Sequence, residues 1–540
     1  MVRTLTSATR VLDIMGLLRA EDGIAKYYTV NPGSAFADGL HEYLASVAGQ
    51  NVLTWKEATR RSFQLAVACA VHPSMRRLDA PLMVLPHGAG YNRLVSESTG
   101  DATSPAGLSR RELVHRGKVI PAAIGLSHHD QFATLFRTCP EAVPRAEMIG
   151  DWCYQRIKDS EAQRDWYRER LGVADGRRLV VIHSTWSEHS LLGQHPRLPL
   201  DLVTSLPADE FAVAAVFHPN VWARHSWPTV LERLRKPMEA GLMVIPPQEG
   251  WRAAVVASDW AIGDHGSTTF YSAAVERVTL LAATGSEELD PASPTAAFGR
   301  TAPRLDPEGD LYGQLLRAER DHDPSVLRTV IDSQLADVEK SGELTQRRLY
   351  EFLSHRGVSL PRQPPDPAPV PPPEPERNRP PSAYEVTGTV RADGSVDVRR
   401  WPLVTGHHDQ ERGFYAVAAE SPQTVWSQSA DVVARTIAVG EPAPPEWCIR
   451  EAPKWPGAAV LVARIDEASA VVWQRGVLLE ARTVRPWGGR QPDLDPLLLG
   501  AAVNLWVMHG RSGAELVKGL VVLTGQRTIR VAFTKPSLTA

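Results

Sequence analysis

Short, unbroken apolar runs recur through the middle of this 540-residue chain: residues 179–183 (LVVIH), 211–217 (FAVAAVF), 242–246 (LMVIP), 260–263 (WAIG) and 278–283 (VTLLAA). Helical patterns fit between most of them, for example at 227–240 and 250–257. A strand covered on both faces reads as a continuous apolar run, and crossover helices between such strands make the sheet parallel. Weaker runs of the same kind at 26–30, 65–70, 82–85 and 119–125 predict a similar unit over residues 1–165. The simplest architecture is α/β, with two consecutive Rossmann-like parallel-sheet units, the second spanning 166–357. The pattern over 324–355 predicts one long amphipathic helix closing the second unit.

The texture then changes twice. Of the 43 prolines, the densest group lies in 361–381, PRQPPDPAPVPPPEPERNRPP, with almost no apolar side chain to bury. This predicts a semi-rigid proline-rich linker over 358–383. Beyond it, YEVTGTVRADGSVDVRRWPLV has two alternating runs around Ala-Asp-Gly-Ser, a β-hairpin signal, and further runs (AAVLVARI, SAVVWQRGVLLEARTV, GLVVLTG, TIRVAFT) follow. Residues 384–540 thus read as a small β-rich accessory domain without a chemical motif, open to a protein partner.

Charge and cysteine content narrow the function. Lys plus Arg is 59 and Asp plus Glu is 62, so the net charge is 59 − 62 = −3, which argues against a nucleic-acid partner. Four scattered cysteines make neither a disulfide framework nor a zinc site. The N-terminus lacks a secretory pattern, and the longest apolar run, 497–508, is broken by Asn504 and too short to span a bilayer, for which about 20 residues are needed. No transmembrane segment and a cytoplasmic location are the expectation.

The chemistry-bearing residues cluster at strand ends. In VLPHGAGYNRL, His87 follows directly on an apolar strand, with Gly88 and Gly90 beside it. The carboxyl end of a parallel strand faces the ligand crevice, glycine lets a substrate approach the backbone, and histidine can act there as a general base. In AVFHPN, His218 repeats that position in the second unit. In DWAIGDHGSTTFYSAA, Asp264, His265 and Gly266 lead into Ser267 and Thr268 at the start of an Ala-rich helix, where free amides, hydroxyls and the helix dipole suit a phosphate. Plain N-capping by Ser267 or Thr268 is the competing reading. After the first strand of the second unit come Ser184, Thr185 and Ser187, again at the ligand-facing end. His183, His189 and His195, like His128-His129-Asp130 and His407-His408-Asp409, have no recognised metal spacing, so no metal site and no cofactor are expected.

GxxxxGK[ST], an opening GxGxxG and GxSxG are all missing, which sets aside P-loop NTPases, dinucleotide enzymes and the common hydrolases. Tandem Rossmann-like units, HG ending a strand in the first, then HP and Asp followed by Ser/Thr in the second, resemble the GT-B enzymes. The pattern is most similar to the CDP-glycerol glycerophosphotransferases of the teichoic-acid polymerase type, over roughly residues 80–285. The resemblance implies that His87 is the base for an acceptor hydroxyl and that His218, Ser267 and Thr268 hold the donor pyrophosphate. Gly88, Thr185, Asp264, His265 and Gly266 join that set by position. Ala89 stands where the family usually has Thr or Ser, and His265-Gly266 where it has an aromatic residue. The function so implied is metal-independent transfer of a glycerophosphate or glycosyl group from a nucleotide-diphosphate donor to a hydroxyl acceptor. The alternatives are a non-catalytic nucleotide-ligand binding protein on the same scaffold and a nucleotide-sugar hydrolase or epimerase.

Overall fold

The computed structural model describes residues 1–94, 100–173, 176–354, 357, 359, 361, 365, 368–376, 380–404, 413–422, 424–437, 441–486 and 491–535. After helix α1 (Leu5–Met15), four short parallel strands form the first sheet: β1 (Ala66–Ala68), β2 (Leu82–Val84), β3 (Ala123–Leu126) and β4 (Ala146–Met148). Met83 packs with Ala8, Val11 and Ile14 of α1 on one face, while Leu82 and Val84 pack on the other. That two-sided burial is why the run reads as unbroken apolar. The strands pair in sequence order, so this sheet contains no internal reversal of the Rossmann kind. Helix α2 (Trp152–Asp159) follows, capped by Asp151.

The second sheet comprises β5 (Arg178–Ser184), β6 (Phe211–Phe217), β7 (Met243–Ile245), β8 (Trp260–Gly263) and β9 (Val278–Leu281), all parallel, in the order β7-β6-β5-β8-β9. Every run read as a strand in this unit is one. The order reverses between β5 and β8, so the loops leaving their carboxyl ends diverge and open a crevice, the usual ligand position in such sheets. Helices α3 (Pro219–His225), α4 (Trp251–Ala257) and α5 (Ser267–Ala274) follow β6, β7 and β8 in turn.

The helix expected over 324–355 is broken. Helix α6 (Ser325–Asp332) ends, Asp337 takes a left-handed conformation with φ 48°, and α7 (Ser341–Ser354) begins anew. Between them the Ala336 amide donates to the Ser127 carbonyl at 3.0 Å, a bond across to the first unit. Helix α7 does not close the second unit: Leu349, Tyr350 and Leu353 lie in the core built on α1, and Gln346 donates to the Leu17 carbonyl at 2.9 Å. Tertiary contacts with the first unit thus override a helical periodicity that runs on through the break.

The proline-rich segment was expected to space domains while burying almost nothing. Its described stretch 368–376 instead runs from the end of the first unit onto the second, where the Glu376 amide donates to the Val244 carbonyl at 2.8 Å. Val370 is buried, its amide donates to Ser160 Oγ at 3.0 Å, and Arg156 donates to the carbonyls of Ala368 and Pro369 at 2.8 Å each. Proline lacks an N–H but keeps its carbonyl, so a proline-rich strap is held by donors from outside.

Residues beyond 382 form a closed nine-stranded barrel: β10 (Ala383–Val390), β11 (Val396–Pro402), β12 (Phe414–Ala418), β13 (Val432–Thr436), β14 (Val460–Arg464), β15 (Ser469–Gln474), β16 (Val477–Thr483), β17 (Leu520–Thr524) and β18 (Arg527–Thr534). The hairpin expected around Ala-Asp-Gly-Ser is β10–β11. Helix α8 (Pro496–Met508) is buried from Leu497 to Trp506 and shares one core with side chains from every strand. The apolar run that was too short for a membrane is a helix covered on all sides by this barrel; among the described residues no helix is long and apolar enough to cross a membrane. The barrel meets the second unit at a buried bidentate pair, Arg400 donating to Asp209 at 2.9 and 2.7 Å, with Arg527 adding 3.1 Å to the same carboxylate.

Candidate functional site

β2 ends at Val84; Leu85 and Pro86 are buried, and the next residue, His87, is open to solvent. Protein nonetheless crowds the ring, and that partial desolvation lowers its pKa below the usual histidine value. The Cys69 carbonyl favours the protonated ring, whereas Arg10 and Arg93 oppose it. His87 is therefore neutral at pH 7, a base that solvent and substrate can reach.

The loop after His87 is pinned to the second unit. The Ala89 amide donates to Ser267 Oγ at 3.0 Å, and Gln334 donates to the Ala89 carbonyl. Gly88 and Gly90 have no room for a side chain: a Cβ would lie 2.4 Å from Ser267 Oγ at the first and 1.9 Å from Gln334 Nε2 at the second, which also has φ +71°.

His218 N-caps α3. Its Nδ1 accepts from the Asn220 amide at 3.1 Å, so the neutral ring carries its proton on Nε2, which lies 3.4 Å from Thr6 Oγ1 of α1. Burial, with Arg93 and His87 adding to it, pushes the pKa down to about 3. His218 is thus a neutral hydrogen-bond donor within electrostatic range of His87 from the facing unit.

The GDHGST segment divides into two roles. Asp264 is fully buried, and its carboxylate is occupied by protein donors: Oδ2 accepts from the Thr185 amide at 2.8 Å, Thr185 Oγ1 at 2.9 Å and the Leu191 amide at 2.9 Å, and Oδ1 accepts from Gly266 N–H at 3.0 Å. Asp264 and Thr185 therefore bond to each other, tying the β5 loop to the β8 loop across the switch point. A carboxylate there would also repel a phosphate, so its geometry suits organising the loops. Gly266 is the N-cap of α5 and provides no side-chain cap; Ser267 and Thr268 are the first helical residues. The N-capping alternative thus does not describe this helix, whose first amides are left to an outside acceptor. The hydroxyl of Ser267, accepting from Ala89, still has its own hydrogen to donate. Beneath it, Ser272 Oγ donates to the Thr268 carbonyl at 3.0 Å, so His183 Nε2, 3.2 Å from Ser272 Oγ, must be the donor in that pair.

His265 is buried, with Nε2 2.5 Å from Glu288 Oε1 but off the ideal hydrogen-bond direction, and with Nδ1 unpartnered against Gly285. Glu288 also accepts from Ser187 Oγ at 2.7 Å and pairs with Arg93 at 2.6 Å. Burial would raise the Glu288 pKa, but His265, Arg93 and Ser187 outweigh it and hold it at about 2.

Arg93, Glu288, Arg10 and Thr6 carry much of this geometry and had no signal as single residues in the sequence. Arg93 is part of VLPHGAGYNRL, yet only the fold sets it against Glu288, through a bridge between Arg93 and Leu289. Arg10 reaches Tyr271 Oη at 3.2 Å and Asp151 at 3.6 Å. The other histidine groups stay apart: His189 sits among Glu188 and Glu287, and His128 accepts from the Asp130 amide at 3.1 Å. His407, His408 and Asp409 lie outside the described residues. Among the described residues no cluster of three His, Cys, Asp or Glu side chains could hold a metal.

No protein-family profile and no curated protein matches this sequence. Among solved structures, the wall teichoic acid polymerase TagF, a variant soaked with CDPG, aligns over 66% of this chain and 87% of its own, at 11% identity and TM-score 0.42. Alr3699/HepE of Anabaena, solved with UDP-glucose, aligns over 64% of this chain and 96% of its own, at 13% identity and TM-score 0.36. A glycosyltransferase of Rickettsia africae aligns over 66% and 98%, at 12% identity and TM-score 0.33.

Proposed function

We propose that the chain is a GT-B-type transferase in which residues 1–165 present the acceptor and 166–357 hold a nucleotide-diphosphate donor. The observation that carries this reading is the joining of the two units at their strand-end loops: the loop of His87 bonds through Ala89 to Ser267 at the uncapped start of α5, and His218 lies 3.4 Å from Thr6 of the first unit. Neutral His87 takes the proton of the acceptor hydroxyl as that oxygen bonds to the transferred glycerophosphate or glycosyl group. The bond to the nucleotide phosphate breaks, and negative charge collects on the departing phosphate. There the Nε2–H of His218, the hydroxyls and amides of Ser267 and Thr268, and the α5 dipole, equivalent to about half a positive charge, stabilise it. His265, through Glu288, and Asp264, through Thr185, hold the loops that place these donors.

A thermal-shift series against CDP-, UDP- and GDP-linked compounds tests the donor site. A compound at about 100 times its dissociation constant adds about 2.7 kcal/mol of stability. Donor turnover with and without added alcohols then separates transfer from hydrolysis. His87→Ala is expected to abolish turnover while donor binding persists; normal turnover in that variant would refute the assignment.

A further inference from the structure

The crevice has few cations for a ligand as acidic as a diphosphate. Arg10 is buried and already neutralised by Asp151, with side chains 8% and 4% exposed. His87 and His218 are neutral. Arg93, at 23% exposure, is the cation whose charge acts on both histidines. Its guanidinium is half-committed: Nη2 pairs with Glu288, whereas Nε is buried with no hydrogen-bond partner. The plane rests on the Trp186 ring, 4.6 Å from its centroid, and Trp186 in turn meets Phe36 edge-on at 5.2 Å. The arginine is thus held in place with unused donors, beside a carboxylate kept ionised to about pH 2.

We infer that Arg93 is a diphosphate-binding residue delivered from the acceptor-side unit, and that Glu288 is the internal anion which occupies it until a donor arrives. This deepens the proposed function and rests on it. A guanidinium offers donors in a planar fork matched to phosphate, which is why an incoming diphosphate displaces a single carboxylate oxygen contact. Glu288 keeps its hydrogen bond from Ser187 and its place 2.5 Å from His265 Nε2 when Arg93 moves to the phosphate. Because Arg93 belongs to the unit carrying His87 and the phosphates would sit on the other, donor binding draws the base toward the reacting group.

Titration calorimetry with inorganic pyrophosphate and with CDP and UDP, on the full-length chain, tests this. Arg93→Met is expected to bind about 10- to 100-fold more weakly, the worth of a hydrogen bond to a charged group, and with a shallower salt dependence; Arg93→Lys should recover part of the loss. Glu288→Gln removes the competing charge and should bind more tightly, which keeps the proposal testable if Arg93→Met fails to fold. Wild-type binding matched by Arg93→Met, or unchanged in Glu288→Gln, overturns the inference and leaves the donor site standing. Absence of wild-type binding to all three probes removes the donor site itself and the inference with it.

Discussion

The backbone amide of Ala89 donates to the hydroxyl of Ser267 over 3.0 Å, so the loop carrying the candidate base touches the first residue of the helix that would receive the phosphate. A methyl group at Gly88 would sit 2.4 Å from that same oxygen. Gly88→Ala should turn the Ser267 side chain away and break the bond, at about 1 kcal/mol of stability. Nucleoside diphosphate binding should weaken about tenfold, as read by calorimetry alongside thermal melts. Unaltered binding would mean that Ser267 does not face the ligand.

The pH profile follows from the lowered His87 pKa. A base works only while unprotonated, so activity should persist below the usual histidine value of about 6.5 and fall as pH drops through the lower value. The acid limb of kcat/KM is the measurement. A limb at or above 6.5 would place the base elsewhere.

His183 gives the fold its own acid sensitivity. It is fully buried, with a pKa lowered to about 3 by desolvation. Between that value and about 6.5 the unfolded chain binds a proton that the native one does not, so stability is full above 6.5 and declines as pH falls. The steepest contribution is about 1.4 kcal/mol per pH unit. Denaturant titrations from pH 7 to 5 should show a smaller decline in His183→Gln than in wild type.

Asp264 is a buried carboxylate stabilised wholly by neutral donors. Asp264→Asn sets an amide hydrogen against the N–H groups it used to accept from, and should cost about 3 kcal/mol by chemical denaturation. Thr185→Val removes one of those donors and should cost about 1 kcal/mol.

The barrel docks through a pair that cannot be halved. Asp209→Ala leaves Arg400, 5% exposed, with Asp495 as its remaining carboxylate. A loss of about 3 kcal/mol is expected, with Asp209→Ala/Arg400→Met recovering much of it.

The second sheet was legible because its strands are buried on both faces, so each shows as an unbroken apolar run ended by a chemically distinctive loop. His87 and His218 stand out for the same reason, being the first polar residues after such runs, and Ser267 stands out by its place at the start of a helix. Glu288 was not: it lies in a loop of ordinary composition and gains meaning from Arg93, 195 positions earlier. Thr6 and Arg10 sit on an amphipathic helix whose pattern shows that it packs, without showing against what. The break between α6 and α7 was hidden because periodicity continues across it, while the turn depends on contacts with Ser127 and Ala89.

The helix inside the barrel also orders events in time. During synthesis β10 to β16 emerge before α8, while β17 and β18, which join β11 to β16, emerge after it. The wall therefore cannot close until its filling has been made. Until then β11 and β16 each expose an unpaired edge beside an uncovered apolar face, the condition that invites association between chains. Truncation of roughly the last 20 residues would make that transient state permanent, turning a closed fold into one that aggregates.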